Sequence, residues 1–124
     1  MAHILIIDDE ESICYMLKQL LTLAGYQVMT VLDGKQALTL CNNTSFDLII
    51  TDIFMPELEG LEFIREIKKE CSLVKIIAIS GGSICIDVGY LDIAKLFGAD
   101  ISLSKPLDNE QLLATVKMLV PDVS

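Results

Sequence analysis

The chain has 124 residues, the usual size of one domain and enough for one hydrophobic core; 52% are apolar and 22% charged, the balance of a globular protein. Acidic residues outnumber basic ones by 18 to 9, and a formal charge of −9 repels nucleic-acid backbones and anionic lipid, which argues against direct binding to either. No apolar run approaches the ~20 residues of a membrane span and no signal-peptide pattern opens the chain, so a cytoplasmic protein is expected.

In chain order, Ile4-Leu5-Ile6-Ile7 is an uninterrupted aliphatic run, the pattern of a strand covered on both faces. Ile13, Met16, Leu17, Leu20, Leu21 and Ala24 then recur with helical spacing, and Gly25 is placed to stop that helix. Tyr26 to Leu32 reads as a second strand, followed by a short helix carrying Ala37, Leu38 and Cys41. Phe46 to Thr51 is a third strand, and Leu61, Ile64, Ile67 and Cys71 form the stripe of a third helix. Val74 to Ile79 is a fourth strand. Ile86, Tyr90, Ile93 and Phe97 share one face of a fourth helix that Gly98 ends. Ile101 to Leu103 is a short last strand. Asp108-Asn109-Glu110-Gln111 resembles a capping box, opening a helix whose apolar side holds Leu112, Leu113, Val116 and Leu119.

Strand-then-helix units in unbroken succession imply a parallel sheet with helices on both faces, in one domain spanning residues 1–124. Cys14, Cys41, Cys71 and Cys85 lack the spacing of a zinc site, and His3 is the single histidine. Without an export signal the cysteines read as reduced, buried small hydrophobes.

An open parallel sheet collects functional groups beyond the carboxyl ends of its strands. Strand one ends in Asp8-Asp9, strand three in Thr51-Asp52, strand four in Ser80-Gly81-Gly82 and strand five in Ser104-Lys105-Pro106. Carboxylates, a hydroxyl and an ammonium therefore converge on one edge. Clustered carboxylates repel unless a cation or proton joins them, and hard oxygen donors suit Mg²⁺. Flavin- and nucleotide-binding proteins of this architecture need a first loop that cradles phosphate with N–H groups, whereas here that loop is Asp8-Asp9-Glu10-Glu11. Each residue also has an ordinary reading: helix-dipole complement for Asp8 to Glu11, turn aspartate for Asp52, surface lysine for Lys105. The convergence of complementary groups from separate strand ends favours a site.

The residues Ile7-Asp8-Asp9-Glu10, Asp52-Ile53-Phe54-Met55-Pro56 followed by Gly60, then Ser80, then Lys105-Pro106, resemble the receiver domain of bacterial two-component response regulators across essentially the whole chain. From Asp9 to Asp52 is 43 residues, from Asp52 to Ser80 is 28 and from Ser80 to Lys105 is 25, and these separations also fit. The resemblance implies a five-stranded, flavodoxin-like doubly wound sheet with strand order 2-1-3-4-5. It implies that Asp52 accepts a phosphoryl group from a histidine kinase or histidine phosphotransfer protein. Mg²⁺ or Mn²⁺ would be held by Asp9, Asp52 and the backbone carbonyl of Phe54, with Asp8 acting largely through water. Lys105 and Ser80 would serve the phosphoryl oxygens, Pro106 would follow a cis bond, and Ser80 would lead a switch. An output protein would meet the face formed by the fourth helix, fifth strand and last helix. Such a domain is not an enzyme on other substrates; it catalyses only its own phosphorylation and slow dephosphorylation.

Some positions depart from the family pattern. Ser102 stands where strand five usually carries an aromatic residue that follows the hydroxyl inward, so either output relies on other elements such as Tyr90 or Phe97, or Ser102 marks weak switching. Gly81-Gly82-Ser83 is a longer glycine-rich connection than usual, expected to be mobile and to order on phosphorylation. Phe54 lies near the path of a hydrolytic water, and Leu107 replaces a common phenylalanine as a packing swap. Alternatives are a pseudo-receiver that binds partners unphosphorylated, a receiver excised from a larger kinase or regulator, and an aspartate-nucleophile hydrolase. The last needs a second acid two residues after the nucleophile, where Phe54 stands.

Overall fold

In the computed structural model, residues 2–52, 60–70, 74–80, 98–104 and 107–120 are described. They form β1 (His3–Ile7), α1 (Glu11–Leu23), β2 (Gln27–Val31), α2 (Gly34–Asn43), β3 (Leu48–Asp52), α3 (Gly60–Glu70), β4 (Lys75–Ser80), β5 (Ile101–Ser104) and α4 (Asn109–Leu119). The stretch that carries the helical stripe of Ile86, Tyr90, Ile93 and Phe97 lies outside the described residues, as does the Gly81-Gly82-Ser83 connection.

All strand pairs are parallel and the order is β2-β1-β3-β4-β5, the doubly wound arrangement expected. Alternate strand residues enter two apolar layers. Ile4, Ile6, Leu48, Ile50, Ile77 and Ile79 pack with Leu17 and Leu21 of α1 and Leu112 and Val116 of α4. Leu5, Ile7, Ile49, Ile76 and Ala78 pack on the opposite face with Ala37 of α2 and Ile64 and Ile67 of α3. Both faces are covered, so the central strands are aliphatic without alternation. Each fully buried Ile or Leu contributes about 1.5–3 kcal/mol, and slipping one strand by a residue would exchange its two faces. Leu107 packs, partly buried, against the α1–α4 layer.

The helix ends follow local chemistry. Gly25, at φ +102°, closes α1: its N–H donates to Thr22 O at 3.0 Å and that of Tyr26 to Leu21 O at 3.1 Å, a Schellman turn. Asp108 caps α4, its Oδ1 accepting from Glu110 N at 2.9 Å, as its sequence suggests. Asp33 and Gln36 cap α2 together: Asp33 Oδ1 accepts from Gln36 N at 2.8 Å while Gln36 Oε1 accepts from Leu32 N at 3.4 Å.

Three strand ends, those of β3, β4 and β5, each extend one residue further than the apolar runs suggest. Asp52 pairs with Ile79, and Ser80 with Ser104, so Asp52, Ser80 and Ser104 are last rungs of the ladder and not the first residues beyond it. A neighbouring backbone sets where pairing stops, whatever the polarity of the side chain.

Candidate functional site

β1 and β3 are neighbours at the middle of the sheet, and their register determines what meets at its carboxyl edge. Ile7 lies opposite Thr51. The next residues, Asp8 and Asp52, therefore stand at adjacent strand ends, with the strands about 4.8 Å apart. On the other side of β3, the Asp52–Ile79 pair brings Ser80 one step further along the same edge, opposite Ser104.

Asp8 is 2% exposed and Asp52 5%, whereas Asp9 and Glu10 face solvent. Asp8 is fixed from several directions. Its N–H donates to Val31 O at 3.3 Å, prolonging the β1–β2 ladder, and its Oδ1 accepts from Glu10 N at 2.9 Å, turning the chain into α1. Carboxylate oxygens of Asp8, Asp9 and Glu10 come within 4.8 Å of one another. Burying carboxylates is costly without compensating charge or hydrogen bonds, and a site this rich in hard oxygen donors suits a small dication such as Mg²⁺. The residues present fit the metal that the sequence implied.

Asp8 and Asp9 share one carboxylate group with Glu10, and Asp52 ends the strand next to that of Asp8. Ser80 is the last residue of β4 in the expected register; its side chain, and the whole of Phe54, Lys105 and Pro106, lie outside the described residues. Ser102 is half-buried in β5 opposite Ala78.

Further residues bear on the site without having been singled out for it. Glu10 joins the acidic group, a role its position beside Asp8-Asp9 already hinted at. Thr51, wholly buried, donates its hydroxyl to the Asp52 carbonyl at 3.1 Å. Cys14 is a buried thiol, as expected, but its Sγ also donates to Asp8 O at 3.4 Å and lies 3.9 Å from Val31 O. Burial pushes the Cys14 pKa up, and the negative charge of Asp8 adds to the effect, followed by those of Asp9 and Glu11.

The fold and the acidic edge define a doubly wound α/β domain with carboxylates at the carboxyl ends of its strands, and comparison with known proteins specifies which. Residues 4–117 match the response regulator receiver domain family model. The chain is 40% identical over 114 residues to the transcriptional regulatory protein YrkP of Bacillus subtilis, covering 92% of this chain and 47% of that protein. The chemotaxis response regulator CheY4 of Vibrio cholerae superposes with a TM-score of 0.87 at 32% identity, covering 97% of this chain and 99% of that one. The response regulator TrrA of Thermotoga maritima, solved with Mg²⁺-BeF, gives a TM-score of 0.85 at 34% identity, with 97% and 100% covered. The chain belongs to the response regulator receiver domain family. It spans about half the length of the curated relatives it matches, 46%, 47% and 53% for the first of them. Among the described residues no helix is long and apolar enough to cross a membrane.

Proposed function

We propose that this domain accepts a phosphoryl group on Asp52, and that the modification alters how it binds a protein partner. The observation that carries this reading is the parallel register Ile7–Thr51, which sets Asp52 beside Asp8 at the buried carboxyl edge. An Asp52 carboxylate oxygen attacks the phosphorus of a phosphohistidine; the new O–P bond forms as the P–N bond breaks, and the imidazole leaves with a proton. Asp9, Asp52, the Phe54 carbonyl and, more remotely, Asp8 would hold Mg²⁺ or Mn²⁺, which when bound offsets charge on the phosphoryl oxygens. The Lys105 ammonium neutralises a further oxygen and the Ser80 hydroxyl donates to another, as their sequence positions suggest. The same residues carry out the domain's own slow dephosphorylation, and no other substrate is proposed.

The donor is a histidine kinase or histidine phosphotransfer protein in the cytoplasm. Residues 1–124 act as one receiver unit, without direct contact to nucleic acid or membrane, and signal to an output protein through the surface around β5 and α4. TrrA, solved with Mg²⁺-BeF, lends support to the metal role. Ser102 favours a second reading, a pseudo-receiver, because the half-buried serine cannot supply the aromatic switch residue.

Incubation with acetyl phosphate and Mg²⁺, followed by intact mass measurement, separates the two. One phosphoryl adduct in wild type and none in Asp52→Asn supports phosphorylation. No adduct in wild type supports the pseudo-receiver.

A further inference from the structure

The main-chain carbonyls of both buried aspartates are held from behind the acidic edge by short side chains. Cys14, 4% exposed and one turn into α1, donates its thiol proton to Asp8 O at 3.4 Å and lies 3.9 Å from the carbonyl of Val31, the last residue of β2. Thr51, 0% exposed, donates its hydroxyl to Asp52 O at 3.1 Å. Strand alternation puts Thr51 on the face of Ile49, among the aliphatic residues under α2 and α3. An aliphatic side chain would pack there equally well, whereas a buried hydroxyl has to find an acceptor. Neither residue reaches the carboxylate oxygens in these bonds; both act on the backbone.

A peptide carbonyl turns with the ψ angle of its own residue, so a donor that pins the oxygen also pins the direction in which the next residue leaves. Pinning Asp8 O sets the departure toward Asp9. Pinning Asp52 O fixes the ψ angle of the residue that ends β3.

We infer that Cys14 and Thr51 are positioning residues of the acidic edge, which fix the backbone exits from β1 and β3 and so prearrange the oxygen donors for a divalent cation. This rests on the cation role proposed above. Groups that orient metal ligands from the next layer contribute to affinity although they never touch the ion.

The test is Mn²⁺ binding to the full chain, read by loss of the free-ion electron paramagnetic resonance signal, with melting temperatures measured in chelator. The proteins are wild type, Thr51→Val, Thr51→Ser, Cys14→Ala and Cys14→Ser. Thr51→Val keeps shape and removes the donor; it is expected to melt no lower than wild type yet bind Mn²⁺ roughly three- to tenfold more weakly. Cys14→Ala is expected to weaken binding similarly, and each Ser variant, which keeps a donor, to recover to within about twofold. If Thr51→Val and Cys14→Ala bind as tightly as wild type, the inference is overturned and the cation role stands. Equal weakening in the Ser variants also overturns it, because shape and not the donor is then responsible. If wild type itself takes up no Mn²⁺, the cation role fails and the inference with it. Should Cys14→Ala fail to fold, the shape-preserving Thr51 pair decides alone.

Discussion

Lys68 of α3 and Asp100, at the entry to β5, join elements at the sheet edge opposite the acidic group. The Lys68 Nζ lies 3.4 Å from Asp100 Oδ2 and donates to Val74 O at 2.7 Å. Asp100 Oδ2 also accepts from Ile76 N at 2.8 Å, and Asp100 N donates to Ile76 O at 2.8 Å. The ion pair is a quarter exposed, so solvent screens it only in part, and at 3.4 Å it contributes up to about 1 kcal/mol. The bond to Ile76 N matters more, because removing its acceptor strands a strand-end donor at a cost of about 1–3 kcal/mol. Asp100→Ala is therefore expected to cost that amount in urea unfolding, and Asp100→Asn, which keeps an acceptor, under ~1 kcal/mol. Equal losses in the two variants would show that charge and not the acceptor dominates.

Gly98 sits against the same lysine. Its φ is +130°, and a Cβ there would lie 2.6 Å from Lys68 Cγ. Gly25 also has a positive φ, +102°, but a Cβ there meets nothing within 4 Å. Both alanine substitutions carry a backbone penalty of order 1 kcal/mol, and only Gly98→Ala adds a clash. Gly98→Ala is expected to be the more destabilising, and Lys68→Ala in the same chain to return part of the difference as a coupling of about 0.5 kcal/mol or more. Strict additivity in a double-mutant cycle would contradict the contact.

Cys14 provides a pH dependence with a definite sign. Its folded-state pKa is raised above the ordinary thiol value of 9.0, chiefly by burial and then by the charge of Asp8. The unfolded chain therefore releases this proton first as pH rises. The stabilising contribution is complete below 9.0 and is lost as pH climbs from there through the raised folded value. In chelator, wild type is expected to lose melting temperature more steeply than Cys14→Ala as the pH rises past 9.0. Parallel curves for the two proteins would remove this titration from the alkaline limb.

Much of this was legible in the sequence because its cause is local. Ile4 to Ile7 reads as a strand covered on both faces, and it is buried on both. Gly25 and Asp108 announce a helix stop and a cap through conformations and hydrogen bonds that neighbouring residues decide. The placing of Asp8 and Asp52 at adjacent strand ends follows from a general property of parallel sheets, that strand ends share an edge. What escaped depends on partners distant in sequence or on side chains of ambiguous character. Asp52 ends β3 as a paired residue because Ile79 continues the ladder beside it, which no pattern within residues 46–52 reveals. Cys14 and Thr51 sit where an aliphatic residue would satisfy the same periodicity, so their donated protons leave no trace in the hydropathy pattern. β2, on the sheet edge and only partly buried, has ends blurred by its half-polar character; it runs Gln27–Val31, inside the Tyr26 to Leu32 expected.

The acidic group itself allows a graded test, because its members differ in burial and position. Asp52 and Asp8 are buried at adjacent strand ends, while Asp9 and Glu10 are exposed beside them. An exposed carboxylate is easily neutralised without disturbing the core, so Asp9→Asn and Glu10→Gln report on the cation more cleanly than changes at Asp8. Direct ligands contribute more than neighbouring charges, which act through solvent and are screened by salt. Asp9→Asn is expected to weaken Mn²⁺ binding by on the order of tenfold or more, and Glu10→Gln by about two- to threefold at low salt, the latter difference shrinking as salt is added. Saturating Mg²⁺, about 100 times its dissociation constant, is expected to stabilise wild type by about 2.7 kcal/mol and Asp9→Asn by distinctly less at the same concentration. Glu10→Gln matching Asp9→Asn at every salt concentration would instead make Glu10 a ligand in its own right, which its carboxylate oxygen within 4.8 Å of those of Asp8 and Asp9 permits.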